Sequence, residues 1–169
     1  MHPVSILEVL SSAAALVVAA VLLCASVSKF VRPAATARSF RDLGLRAPSL
    51  SGRLVPATEL SIGLCCLVRP RLGAWLAFAL LVAFTAILVP VVRSGRTVNC
   101  GCFGGTGAAP VTGTTLVRNG GLMVGALIAT ESSGLAGGLP TALVASGAVA
   151  SAAMVLTLLD VRQTAGRLF

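Results

Sequence analysis

The chain has 169 residues, is 56% hydrophobic and 11% charged, and has a mean hydropathy of +0.97. That leaves too little polar surface to clothe a soluble domain and marks an integral membrane protein. The formal charge of +8 does not point to nucleic acid, because the bases cluster between apolar runs, where they orient helices and meet anionic lipid head groups.

The first apolar segment covers about residues 7–28, long enough for a helix that crosses a hydrocarbon core. Its start, Met1-His2-Pro3-Val4, has no basic region, and the run from Val9 to Val27 exceeds the apolar core of a signal peptide, so a retained anchor is expected. Leu23 is too large to precede a lipid-modified cysteine at Cys24. The composition then changes over 29–53, where Lys29, Arg32, Arg38, Arg41, Arg46 and Arg53 face the single acid Asp42. Pro33 suits a first helical turn and Gly44 a helix end, which allows a short amphipathic helix over 33–43 on the membrane surface, with a solvated basic loop as the alternative.

A shorter apolar segment, 54–68, holds Pro56, Glu59 and the adjacent thiols Cys65 and Cys66. After the turn Arg69-Pro70-Arg71, residues 72–92 form the cleanest span, with the only Trp, Trp75, near one interface. Residues 93–115 make a loop rich in Gly, Pro and Thr, and 116–130 is a fourth span with Arg118 and Asn119 in its first turn. A Gly-rich turn leads to a fifth span at 139–159 and a short polar tail. The expected fold is an all-α polytopic bundle in one membrane domain, 1–169, with a four-helix core plus one further span. Its helices are rich in small residues, which permit close approach where lipid removes the usual hydrophobic drive.

With five spans, the face holding the basic stretch 29–53, the loop 93–115 and the C-terminal tail carries eleven Lys and Arg, counting Arg118, against Arg69 and Arg71 on the other. The positive-inside rule therefore places the N-terminus outside and those three segments in the cytoplasm. If 54–68 does not cross, the two loops fall on opposite faces.

Chemistry concentrates in Val98-Asn99-Cys100-Gly101-Cys102-Phe103-Gly104. The single His, His2, and the absence of Tyr leave few groups for acid–base catalysis elsewhere. Two thiols one residue apart, with Gly101 freeing the backbone, can close a small strained ring, which is an exchangeable redox couple and not a structural staple. Arg96 is the nearest fixed charge in sequence and favours a thiolate. The plain alternative is a pair of small buried apolar residues. Zinc binding is disfavoured because the other thiols, Cys24, Cys65 and Cys66, lie inside apolar spans; covalent haem attachment has no motif. These three thiols form either an electron relay across the membrane or ordinary small core residues. Glu59, an acid well inside an apolar span, needs either a cation, Lys29 or Arg118, or a proton. With no second intramembrane acid and no visible repeat, a transporter has little support.

The run Asn99-Cys100-Gly101-Cys102-Phe103-Gly104, then Pro110-Val111 and Leu116-Val117-Arg118-Asn119, resembles the Cys-x-Cys-Phe-Gly loop and following Arg-Asn of the methylamine-utilisation MauE family, relatives of DoxX-type membrane proteins. Ser28-Lys29-Phe30, Gly44-Leu45 and Glu59-Leu60 extend the resemblance over about residues 10–130. It implies a multi-pass protein of redox or disulfide metabolism; on the reading of the residues themselves, Cys100 and Cys102 are the expected redox pair, with Cys24, Lys29, Glu59, Arg96, Arg118 and Asn119 in support. It also implies a thioredoxin-like partner and a link to maturation of a disulfide-rich methylamine dehydrogenase subunit. No cofactor is expected, a quinone being the one left open. The runner-up is a non-catalytic membrane subunit that docks a redox enzyme or a quinone-linked complex.

Overall fold

The computed structural model describes residues 5–45, 47–95 and 111–132, and within them the chain is helical. Helix α1 spans Ile6–Val31. Its start is fixed by a capping box, in which the Glu8 N–H donates to Ser5 Oγ at 3.2 Å and the Ser5 N–H donates to the Glu8 carboxylate at 3.1 Å. At the other end Arg32 leaves helical geometry, as a residue before proline tends to, and Pro33 opens the short helix α2, Pro33–Asp42. The amphipathic helix expected at 33–43 is therefore present. It is seated by Thr36, Ser39 and Phe40, which are buried, while Arg38 and Arg41 face outward. Gly44 ends this stretch at φ +85°, a conformation that favours glycine.

Helix α3 runs Pro48–Val68 and so begins six residues before the span expected at 54–68. Pro48 at its first position starts it early, because proline needs no N–H there. Its 21 residues rise about 30 Å, the thickness of a hydrocarbon core, so the segment that looked too short in sequence has the length of a full span. Arg53, assigned to the basic loop by composition, thus lies within α3. Helix α4, Pro70–Arg93, follows after a single residue, Arg69, and helix α5, Gly113–Ala129, starts three residues before the expected fourth span. Helices α1, α3 and α4 are long and apolar enough to cross a membrane. The fifth expected span, 139–159, and the C-terminal tail lie outside the described residues.

The four long helices close into an up-down-up-down bundle, α1 beside α3, α3 beside α4, α4 beside α5 and α5 beside α1. Their directions follow from which residues meet. Ala129 of α5 packs with Ala15 of α1 and Ala74 of α4, whereas Ala126 packs with Val18 and Ala77, so α5 runs against both. Gly63 lies against Ala19 and Leu23 while Pro56 meets Ser26, so α3 runs against α1. Small residues govern the approach, as their abundance in the sequence implied. A Cβ placed on Gly73 would run into the Cys66 backbone. Leu7, Leu64, Leu72, Val82 and Val117 lie on the outer surface, the arrangement a lipid solvent asks for.

Candidate functional site

Alternation of direction brings four helix ends to one pole of the bundle: the C-termini of α1 and α4 and the N-termini of α3 and α5. Below that pole Lys29 and Glu59 face each other across the α1–α3 contact. Lys29 Nζ donates to both Glu59 carboxylate oxygens, at 2.6 and 2.7 Å, and each side chain is only 2% exposed. Of the two cations that sequence offered as a partner for Glu59, the structure brings Lys29 into contact. The ammonium also sits 5.9 Å from the centre of the Phe84 ring on α4, within cation–π range. The contact supplies Glu59 with a cation, the first of the two ways in which its burial could be met.

Arg118, in the first turns of α5, lies near enough for its charge to act on Lys29. Beside it Asn119 is buried and its Nδ2 donates to Thr85 Oγ1 on α4 at 3.4 Å; Thr85 in turn donates to the Leu81 carbonyl at 2.8 Å. Ser26 Oγ, one turn before Lys29, donates to the Pro56 carbonyl at 2.8 Å. The polar groups of all four long helices therefore gather into one layer of the bundle, where a bilayer would leave an isolated polar group without water.

Reading the sequence missed Phe84, Thr85 and Ser26. Thr85 alone had a legible signal, as a hydroxyl in the most apolar span. Phe84 and Ser26 look like ordinary helix residues until α1 is set beside α3 and α4.

The loop 93–115 joins this pole at both of its described ends. Gly95 follows α4 at φ +64°, and Val111 clusters with Leu88 and Val91 of α4, a cluster against which Leu43 at the end of α2 packs. Cys100, Cys102 and Arg96 lie outside the described residues. Among the thiols that are described, Cys24 is exposed on the outer side of α1, Cys65 is half-buried, and Cys66 belongs to the apolar core with Ala19 and Leu22. All three are free thiols.

A family model described as methylamine utilisation protein MauE matches residues 7–132. The chain is 33% identical over 128 residues to a methylamine utilization protein MauE of Paracoccus denitrificans, covering 73% of this chain and 68% of that relative. No solved structure matches.

Proposed function

The chain belongs to the methylamine utilisation MauE family, and on that footing we propose that it is a membrane thiol-disulfide exchanger that works through Cys100 and Cys102. The observation that supports this reading is the clustering of Val111 with Leu88 and Val91, against which Leu43 packs: the descending end of the loop 93–115 lies at the pole below which Lys29 and Arg118 sit. A positive environment is what lowers a thiol pKa and supplies the attacking thiolate. Arg96, Lys29 and Arg118 favour that thiolate, with Asn119 holding the start of α5 against α4.

The exchange balances as follows. One motif thiolate attacks a sulfur of the disulfide of a thioredoxin-like partner; a mixed disulfide forms while the partner's S–S bond breaks, and its second sulfur leaves as a thiolate and takes up a proton. The other motif thiol loses its proton and attacks the mixed disulfide. Cys100 and Cys102 end as a disulfide, the partner leaves as a dithiol, and two electrons have passed to it. Cytosolic thiols reduce the motif again by the same two exchange steps and are themselves left as a disulfide. In this family setting the exchange serves maturation of a disulfide-rich amine dehydrogenase, with the loop on the cytoplasmic face that the charge count favours.

Alkylation trapping in membranes, before and after reduction, tests this. Cys100 and Cys102 should be blocked together when oxidised and labelled together when reduced; labelling that never changes rules the exchange out. A Cys100→Ser/Cys102→Ser chain that still assembles and still supports function would instead favour a docking subunit.

A further inference from the structure

The outward side of the α2–α3 junction is not used by the thiol chemistry. Here α2 lies across the first turns of α3 at a close approach: a Cβ on Gly52 would sit 3.6 Å from Ala37. Small residues at the crossing let Arg38 and Arg53, the neighbours of Ala37 and Gly52, flank it from two different helices. Arg41 stands one turn beyond Arg38 on the same outward face of α2. Arg38, Arg41 and Arg53 are all exposed. Among the described residues the ion pair is Lys29 with Glu59, and the exposed Asp42, four residues after Arg38, forms none with these guanidinium groups, which outnumber it three to one.

Exposed apolar side chains adjoin Arg53 on α3: Leu50, one turn before it, and Leu54, next to it, each 55% exposed. A patch made for an acidic protein or for RNA would have a polar surround. This one passes from guanidinium groups to aliphatic side chains within one turn of α3, which is the sequence of environments met in passing from lipid phosphate to acyl chain.

We propose that the α2–α3 junction binds the headgroup of an anionic phospholipid, with Arg38 and Arg53 holding the phosphate, Arg41 adding charge, and Leu50 and Leu54 receiving the upper part of the acyl chains. Guanidinium suits the role because its fork of N–H donors matches phosphate oxygens two at a time. The site is independent of Cys100 and Cys102.

The test is native mass spectrometry of the full chain released from micelles containing phosphatidylglycerol or phosphatidylcholine with identical acyl chains. Retained phosphatidylglycerol should exceed phosphatidylcholine, and R38Q/R53Q should lower its retention roughly thirtyfold, the effect of removing two interfacial charges. An R38K/R53K chain, which keeps charge and loses the fork, should fall between. R69Q/R71Q, at the opposite pole, should bind as the unaltered chain does. Equal retention of the two lipids, an equal loss in R69Q/R71Q, or displacement of phosphatidylglycerol by a glutamate-rich peptide would each overturn the proposal. The R38K/R53K chain guards against misfolding: binding in it as weak as in R38Q/R53Q, together with an unfolded circular dichroism spectrum, discards the glutamine result, and the lipid preference of the unaltered chain then decides.

Discussion

Lys29 and Glu59 hold each other through two hydrogen bonds, at 2.6 and 2.7 Å, between the last turn of α1 and the middle of α3. Two charges enclosed this fully are stable only as a pair, because either one alone carries an uncompensated desolvation penalty.

Glu59→Leu or Lys29→Met alone should therefore lower stability by about 3–5 kcal/mol, and Lys29→Met/Glu59→Leu together should lose much less than the sum. Unfolding of the purified chain in mixed micelles, followed by circular dichroism, measures the cycle. Additive losses would mean that the two groups do not depend on each other.

Gly73 and Gly63 should respond differently to alanine. At Gly73 the new methyl meets the Cys66 backbone, which has nowhere to go, and the expected loss is about 2–3 kcal/mol. At Gly63 it meets the end of the Leu23 side chain at 2.9 Å, which can turn away, so the loss should be about 1 kcal/mol or less. Equal melting temperatures for the two variants would contradict the close packing at the α3–α4 turn.

Asn119→Leu and Thr85→Val should each cost about 0.6 kcal/mol, the usual worth of an interhelical hydrogen bond in a membrane, and the double variant should cost little more than either. The same micelle unfolding assay applies. A double variant that loses the full sum would show that Nδ2 and Oγ1 do not act as partners.

Topology can be read with single cysteines in a Cys-free chain. Ala34 and Ser94 are suitable because both are exposed, whereas Thr36 in the same basic stretch is buried and would react poorly wherever it lies. Both reporters should resist a membrane-impermeant maleimide in intact cells and react after permeabilisation. Labelling of both in intact cells would invert the orientation; labelling of one alone would mean that α3 does not cross.

Composition and local pattern were enough for the all-helical membrane class and for α4, and offered α2 as one of two readings beside a solvated basic loop, since apolar run length and proline placement act within a few residues. The same reading could say that Glu59 needed a partner, because an acid in an apolar run is costly wherever the other helices lie. It could not choose between Lys29 and Arg118, which are both cations at the right depth. That choice depends on α3 packing directly on α1 so that their facing side chains meet, a relation between residues thirty positions apart. The start of α3 at Pro48 was hidden for a related reason: hydropathy ends where Arg53 and Ser51 begin, but their backbone stays helical because α2 packs across that turn at Ala37 and Gly52. Phe84 and Thr85 acquired a role only when alternating helix directions set α4 beside the pair, for a polar layer assembled from four helices has no local signature in any one of them.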